Sequence, residues 1–321
     1  MIKQQLLKYS VLTKDFGICV AFNELSLRLI GKLFGRNTNL WKKLSAHKYR
    51  YINNKLKIEF CDVIEKYLNQ EQIGKIDDTG IIWVFWAQGM DAAPSIVKLC
   101  VESIKKNSNS HPVICVDNNN LSKYVDLDKN ILEKYKEGSM STPHFSDVVR
   151  FKLLSEYGGI WCDSTIFLSK SIDCVQLNKY SFFTVRHGIG QDYLACRGLW
   201  STFFVASSKG NVLSSFVYEC LCKYWNQHES AIDYLFLDCI ISIGYKYIES
   251  ITSMIDAIPE NSTNVFDAMQ MFENLEEERK IKEKLDVSAV NKLTYKTVRG
   301  IEQVALMKKV LLSYNKLNEC K

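Results

Sequence analysis

Long apolar runs and proline are scarce in this 321-residue sequence, which contains only four prolines. No apolar run reaches the roughly 18 residues that a membrane-spanning helix requires. The richest early stretch, residues 16–34, is interrupted by Asn23, Glu24 and Arg28. The sequence therefore predicts neither a membrane span nor a secretory signal.

Several motifs that would identify a common enzyme class are also missing. No G-x-G-x-x-G follows the first predicted strand and no G-x-x-x-x-G-K-[ST] occurs, which excludes the dinucleotide-binding fingerprint and the P-loop. H-E-x-x-H and G-x-S-x-G are absent, so metalloproteases and serine hydrolases find no support. The eleven cysteines form no C-x-x-C, only the C-x-C of Cys220 and Cys222. We expect most cysteines to be small apolar core residues in a reducing cytoplasm.

Positive charge is concentrated at the start of the chain. Residues 1–60 contain twelve Lys or Arg and three acids, whereas the remainder carries a net −4. Because Leu, Ile, Phe, Trp41 and Tyr49 alternate with these charges, amphipathic helices on an anionic membrane are one interpretation. A basic, solvated helical cap packed on the domain is the other. No recognisable binding module accompanies the charge, so nucleic acid is not an expected partner.

The hydrophobic pattern predicts a helical N-terminal extension, residues 1–74, followed by an α/β domain, residues 75–321. The polar, glycine-bounded segment Gly74–Gly80 marks the boundary. The elements expected beyond it are strand Ile81–Trp86, helix Pro94–Lys106, strand Val113–Val116, helix Ile131–Tyr135, strands Ser181–Arg186 and Thr202–Ala206, helices Asn211–Gln227 and Ala231–Glu249, and an exposed helix Glu273–Leu285. The first strand, helix and strand imply a parallel sheet with a right-handed crossover.

The chain is organised around residues 143–168, PHFSDVVRFKLLSEYGGIWCDSTIFL. Thr142 is expected to cap a helix that begins at Pro143, because proline at that position gives up a donor that has no partner. Gly158 and Gly159 end the helix. The short strand Ile160–Cys162 then carries Asp163 to its carboxyl end, where ligands bind in open α/β sheets.

Helical spacing places Asp147 and Arg150 on the face opposite Lys152 and Glu156. An acid and a base three residues apart can pair. That pairing alone is equally consistent with a buried structural ion pair. Because the same unit also presents Asp163, we interpret the three charges as a ligand site.

These residues carry a resemblance. The patterns S-D-x-x-R (Ser146–Arg150) and Y-G-G-I-W-x-D (Tyr157–Asp163) resemble glycosyltransferases of the DXD class. The similarity is greatest to the capsular polysaccharide synthesis branch of glycosyltransferase family thirty-two. The segments IIWVFWAQG (Ile81–Gly89), IDYLFLD (Ile232–Asp238) and NKLTYK (Asn291–Lys296) also fit that branch. The resemblance extends over roughly residues 75–296.

The resemblance implies a GT-A-type, Rossmann-like sheet that binds a nucleotide sugar. Asp163, Asp147 and Arg150 would be the catalytic group. The residues that would contact the nucleotide sugar are Trp86, Gln88, Gly89, Asp117, Asp147, Arg150, Trp161, Asp163 and Ser164. The metal, Mn²⁺ or Mg²⁺, would be held by Asp163 and Thr165. Two alternatives remain open, that Trp86 is a plain core aromatic and that Asp163 only caps a turn.

Acceptor-side contacts are expected from a polar, glycine-containing loop and from a later helix. The loop, residues 187–200, offers His187, Gln191 and Asp192. The helix offers Asp233 or Asp238, which diverge too far around it for both to face one site.

Two departures from the family pattern affect the metal site. Asp163-Ser164-Thr165 stands where many relatives have Asp-x-Asp. Asn291 stands where relatives often have histidine, which is a better metal ligand than an amide.

The resemblance implies a hexosyltransferase of capsular or surface polysaccharide biosynthesis that retains anomeric configuration. The donor would be UDP-galactose or UDP-glucose and the acceptor a lipid-linked oligosaccharide, or alternatively a teichoic-acid-like or glycolipid acceptor. The expected location is the cytoplasm, peripheral at the inner face of the cell membrane. A non-catalytic nucleotide-sugar-binding or scaffold homologue is the alternative of a different class.

Overall fold

The computed structural model describes residues 13–188, 190–262, 264–296 and 300–317, so residues 1–12 of the predicted extension lie outside the described residues. The helices with described bounds are α1 (Ile18–Phe34), α2 (Asn39–Glu59), α3 (Cys61–Tyr67), α4 (Ser95–Lys106), α5 (Lys129–Lys136), α6 (Thr142–Tyr157), α7 (Val212–Gln227), α8 (Phe236–Tyr247), α9 (Glu249–Asp256), α10 (Asp267–Glu273), α11 (Glu278–Leu285) and α12 (Ile301–Leu317). The strands are β1 (Ile82–Phe85), β2 (Val113–Val116), β3 (Gly159–Cys162), β4 (Ile166–Leu168), β5 (Phe182–Thr184), β6 (Phe204–Ser207) and β7 (Val290–Lys292).

A five-stranded mixed sheet in the order β2-β1-β3-β6-β5 forms the centre of the fold. Strand β1 pairs in parallel with β2 and with β3, and Ile82 lies opposite both Val113 and Ile160. Strand β6 runs antiparallel to β3, and β5 runs antiparallel to β6. All residues of β1 and β3 are buried, as the continuous apolar runs predict for strands covered on both faces. The predicted α/β class and the parallel pairing of the first two strands are confirmed.

Helix α6 begins one residue earlier than expected. The cap is Ser141 and not Thr142, because Ser141 has an extended backbone and its Oγ accepts a hydrogen bond from the His144 amide at 3.5 Å. The helix ends at Gly158, as predicted, and Gly159 has a φ of +92°. A Cβ on Gly159 would lie 2.3 Å from the Ile81 carbonyl oxygen. The double glycine therefore lets the chain turn directly from α6 into β3 against β1.

A second sheet, of two strands, was not predicted. Strands β4 and β7 pair antiparallel with Ile166 opposite Lys292. The Leu293 amide continues this contact by donating to the Thr165 carbonyl at 3.0 Å. The late segment Asn291–Lys296 is thereby brought next to the end of β3.

Two predicted helices differ in the structure. The helix expected over Ala231–Glu249 begins only at Phe236, because Asp233 Oδ1 accepts the Leu235 amide at 2.9 Å and forms a local turn. The helix expected over Glu273–Leu285 begins only at Glu278, because Leu275 has a φ of +53° and Glu273 is the last residue of the preceding helix α10.

Helices α1 to α3 form the described part of the N-terminal extension. Ser45 Oγ donates to the Tyr193 carbonyl at 2.7 Å, and Lys48 Nζ lies 2.5 Å from Asp233 Oδ2. Phe60 belongs to the same hydrophobic core as the sheet. None of the described helices combines the length and apolar character needed to cross a membrane.

Most of the ten cysteines in the described residues belong to the core. Five are buried: Cys100, Cys162, Cys196, Cys220 and Cys239. Cys115 and Cys222 are partly buried and pack against the core, and Cys19, Cys61 and Cys174 are exposed. The expectation that most are core residues is confirmed for the described residues.

Candidate functional site

A cleft of about 810 Å³ opens at the carboxyl ends of β1 and β3. Its volume is in the range of small-molecule sites. Trp86 and Gln88 line it just after β1, and Asp163 lines it just after β3. Helix α6 contributes Asp147 and Arg150. The cleft thus occupies the position at which parallel α/β sheets hold ligands.

Arg150 connects two carboxylates in this cleft. Its Nη1 lies 2.7 Å from Asp147 Oδ1, and its Nη2 lies 3.2 Å from Asp163 Oδ1. The guanidinium carbon lies 4.8 Å from the centre of the Trp161 ring, and the Trp161 indole donates to Asp163 Oδ1 at 2.9 Å. The Arg150 side chain is only 6% exposed, and its buried Nε has no hydrogen-bond partner. The three charged side chains expected to converge are therefore in contact, while their roles stay predictions.

Lys292 is a further charged residue of the cleft, and the sequence reasoning did not assign it. Its Nζ donates to Asp163 Oδ2 and to Thr165 Oγ1, both at 2.8 Å. The side chain is 21% exposed and lines the cleft. The alternation of side chains along a strand was the signal available in the sequence, because it places Lys292 and Asn291 on opposite sides of β7. In the structure Asn291 is the buried one of the two. Only the β4–β7 pairing, however, shows that the Lys292 side faces Asp163.

The three carboxyl groups of the cleft differ in their ionisation. Burial opposes charge on Asp163, but the Lys292 and Arg150 charges outweigh it and lower the pKa of this carboxyl. Burial raises the pKa of Asp147 to about 7, although the Arg150 charge acts in the opposite direction. Burial raises the pKa of Asp238 to about 6, against a hydrogen bond from the Trp200 indole. The cleft therefore holds one firmly ionised carboxylate and two that can take up a proton near neutral pH.

Trp86 forms part of the cleft wall and is half-buried. Its ring meets the Tyr295 ring edge-on at 5.5 Å, and its indole N–H is buried without a partner. Trp86 is thus not a plain core aromatic, since one side faces the cleft. Gly89 and Asp117 line an adjoining pocket of about 420 Å³, which shares Gln88 with the main cleft.

Trp161 and Ser164 also line the main cleft, together with Thr165. The Asp163 carbonyl accepts the Ile166 amide at 2.8 Å, so this residue does close a turn. This turn uses the backbone carbonyl, whereas the carboxylate accepts from Arg150, Trp161 and Lys292, so Asp163 does more than cap a turn.

Of the predicted acceptor-side residues, only Asp238 lines the cleft. Asp233 precedes α8 and forms the ion pair with Lys48, which corrects the expectation that Asp233 and Asp238 share one helix. Asp238 accepts a hydrogen bond from the Trp200 indole at 2.8 Å.

His187, Gln191 and Asp192 lie outside the cleft lining. The His187 ring packs edge-on against Phe266 at 5.6 Å. The Gln191 carbonyl accepts the Leu194 amide at 2.8 Å within the loop. A role for these residues toward an acceptor stays a prediction.

Other lining residues were not predicted from the sequence. They include His144, Thr202, Tyr234, Tyr295 and Lys296. Tyr234 is the most solvent-exposed of the cleft aromatics, at 74%.

The residues predicted to hold a metal do not fit a divalent cation as arranged. The described residues contain no group of three or more His, Cys, Asp or Glu side chains that could hold an ion. Asp163 and Thr165 both accept hydrogen bonds from Lys292, whose charge would repel a metal. The Asn291 amide points away, because it donates to Ser169 and to two backbone carbonyls.

Comparisons with known proteins relate the chain to one protein family and to glycosyltransferases. A family model described as "Capsular polysaccharide synthesis protein" matches residues 36–310. A curated protein of Aspergillus fumigatus (strain CBS 144.89 / FGSC A1163 / CEA10), "Glycosyltransferase afumC", is 24% identical over 168 residues. That alignment covers 46% of this chain and 41% of the relative, so the chain spans well under half of the relative's length. A solved structure, "PaToxG Glycosyltransferase", aligns with a TM-score of 0.40 and 14% identity over 87% of this chain and 98% of that chain.

Proposed function

The chain belongs to the capsular polysaccharide synthesis protein family, and from that premise we propose that it is a glycosyltransferase. It transfers a hexose from a nucleotide sugar, UDP-galactose or UDP-glucose, to a lipid-linked oligosaccharide. The observation that carries the proposal is the arrangement around Arg150, which joins Asp147 and Asp163 in the cleft at the strand ends. Anionic ligands with a sugar attached need this combination of fixed cations and carboxylate acceptors.

The cleft offers separate regions for the parts of such a donor. The base and ribose lie along Trp86 and Gln88 and reach the adjoining pocket of Gly89 and Asp117. The diphosphate lies next to the cations beside Asp163, and the hexose lies toward Asp147. The GT-A-type description of the sheet belongs to this proposal.

The reaction breaks the bond between the anomeric carbon and the diphosphate oxygen, and both electrons leave with the diphosphate. A new bond forms between the anomeric carbon and the acceptor hydroxyl oxygen. The hydroxyl proton passes to a diphosphate oxygen, so a retaining transfer on one face of the sugar requires no separate base. Arg150, held by Asp147 and Asp163, contributes positive charge beside the leaving group.

Asp238 and Tyr234 are on the acceptor side of the cleft in this proposal. Tyr234 provides an exposed ring, and Asp238 can accept a hydrogen bond from a sugar hydroxyl. A teichoic-acid-like or glycolipid acceptor would use the same residues.

The membrane surface is the second partner that we propose, and helix α1 supports it. Ile18, Phe22, Leu29 and Leu33 recur at helical spacing along one side of α1 and are 50–73% exposed. The helix carries Arg28 and Lys32, and its one acid, Glu24, is paired with Lys48. An apolar stripe flanked by cations is complementary to a membrane with anionic lipids, so the protein is peripheral at the inner face of the cell membrane.

A panel of nucleotide sugars tests the enzymatic proposal. Purified protein is incubated with UDP-, GDP- and dTDP-linked hexoses, and ligand-induced thermal stabilisation and nucleoside diphosphate release are measured. We expect stabilisation by UDP-hexoses and a slow release of UDP. The Lys284→Met variant controls for the loss of a lysine outside the cleft, because it removes a lysine that pairs with Asp267 away from the cleft.

Stabilisation without any release, with or without a lipid-linked acceptor, would support the non-catalytic binding or scaffold homologue. Neither stabilisation nor release with any member of the panel would refute nucleotide-sugar binding.

A further inference from the structure

We infer that the cation that neutralises the donor diphosphate is the Lys292 ammonium, in the position expected for a divalent metal. The inference rests on the proposed function and deepens it. Asp163 is then a positioning residue that orients Lys292 and Arg150, and Thr165 supplies the second support for the ammonium.

The first reason is the location of the ammonium. Lys292 Nζ is 2.8 Å from Asp163 Oδ2 and 2.8 Å from Thr165 Oγ1, which are the two side chains expected to ligate the metal. An ion bound to both oxygens at about 2.1 Å would occupy nearly the same volume as the ammonium. Lysine and metal are therefore mutually exclusive in this arrangement.

The second reason is the remaining bonding capacity of the site. An ammonium has three donor hydrogens, and the hydrogen bonds of Lys292 use two of them, while the Phe203 ring centre lies 5.3 Å from Nζ. The side chain is partly exposed and lines the cleft, so the third hydrogen is available to a phosphate oxygen. The other oxygen of Asp163, Oδ1, is not free to bind a metal ion, because it already accepts hydrogen bonds from Arg150 and Trp161.

The third reason is the strand that carries the lysine. Lys292 lies in β7 opposite Ile166 of β4, and its amide donates to the Val265 carbonyl at 2.8 Å. The ammonium is thus held on a paired strand and not on a free loop. Such preorganisation is what electrostatic stabilisation of a leaving group requires.

UDP binding measured by isothermal titration calorimetry tests the inference. The full chain is titrated with UDP in EDTA and again in MnCl₂. We expect the two affinities to agree within about twofold, since no ion takes part. Lys292→Met should weaken UDP binding by roughly 10- to 100-fold in both buffers, the loss of one charge-assisted contact. Lys292→Arg, which keeps the charge, should recover part of the affinity.

The Lys284→Met variant is the matched control, because its ammonium also lies 2.8 Å from an aspartate but outside the cleft. It should bind UDP like the unmodified chain. UDP binding that is lost in EDTA and restored by Mn²⁺ would overturn the inference and leave the proposed function standing. Lys292→Met with unchanged affinity would also overturn it. Absence of binding by UDP, GDP and dTDP in every buffer would instead refute the proposed function.

Discussion

Replacing Asp163 by asparagine removes a single negative charge at the point where three donors meet. In the unmodified chain, Oδ1 accepts from Arg150 at 3.2 Å and from Trp161 at 2.9 Å, and Oδ2 accepts from Lys292 at 2.8 Å. The asparagine oxygen can still accept from Arg150 and Trp161. Its amide hydrogens would then face the Lys292 ammonium, so that contact is lost and becomes repulsive.

The expected cost follows from the exposure of the partners. Breaking a fully buried ion pair costs about 3–5 kcal/mol. The Asp163 side chain is 28% exposed, so water can partly solvate Lys292 after the change. Arg150 also keeps its bond to Asp147. We therefore expect a loss of about 2–3 kcal/mol in the free energy of unfolding, or roughly 3–4.5 °C in Tm at this chain length.

The effect on transfer should be larger than the effect on stability. Lys292 and Arg150 would lose the group that orients them, so the rate of UDP release should fall by roughly 10²–10³, comparable to the loss of a preorganised charge stabiliser. Differential scanning calorimetry and a UDP-release assay on the same preparation measure the two effects. Asp267→Asn is the control, because it removes a more exposed lysine–aspartate pair of equal length, with an expected cost below about 1 kcal/mol. An Asp163→Asn protein that retains both Tm and rate would refute the assignment of Asp163 as the organising carboxylate.

Three further predictions follow from the structure. Since the pKa of Asp147 is raised to about 7 in the folded chain, its protonated form favours folding and this contribution is lost as pH rises from about 4 to 7. The difference in Tm between Asp147→Asn and the unmodified chain should therefore shift in favour of the variant as pH rises from 5 to 8. A difference that stays constant over this range would contradict the raised pKa. Gly159→Ala should lower the free energy of unfolding by about 3 kcal/mol or more, because the added Cβ meets a carbonyl oxygen at 2.3 Å at a φ of +92°. A variant whose Tm lies within 2 °C of the unmodified chain, roughly 1 kcal/mol, would be incompatible with that contact. The double variant Phe22→Ser, Leu29→Ser should bind anionic vesicles more weakly in a co-sedimentation assay, and its remaining binding should be salt-sensitive. Ile73→Ser, which changes an exposed apolar residue outside α1, should bind like the unmodified chain. An equal loss in the two variants, or no loss in either, would count against a membrane role for the apolar side of α1.

The elements that the sequence predicts well are those with one dominant local signal. The continuous apolar run before Gln88 predicts β1 to within one residue at each end, because a fully buried strand tolerates no polar position. The Ser141–Gly159 unit is predicted nearly as closely, since proline at its start and two glycines at its end fix the limits of α6. Where a turn signal competes with a helical pattern, the predicted boundary is wrong. At Asp233 the side chain forms a local turn, so α8 begins at Phe236 and not at Ala231.

The two-stranded sheet of β4 and β7 could not be predicted in the same way. Each strand has three residues, and their partners are separated by more than a hundred positions in the sequence. Such short strands carry little periodicity, and their pairing depends on the surrounding tertiary structure. The same limitation applies to the charged centre of the cleft. Asp147, Arg150 and Asp163 come from consecutive elements, whereas Lys292, Tyr234 and Tyr295 reach the cleft from distant segments.

The metal expected at Asp163 came from the family resemblance, and nothing within residues 143–168 pointed to a cation from elsewhere in the chain. A carboxylate followed two positions later by a hydroxyl offers oxygen ligands that suit a divalent ion. The β4–β7 pairing supplies a cation from outside that stretch and delivers it to both oxygens at once. The neutral Asn291 is consistent with this arrangement, because its side chain supports the backbone behind β7 and contributes nothing to the cleft. In the proposed function, the carboxylate, the hydroxyl and the ammonium form a unit whose one remaining donor would face the diphosphate, so that residues fixed in place by the fold would balance the charge of the leaving group.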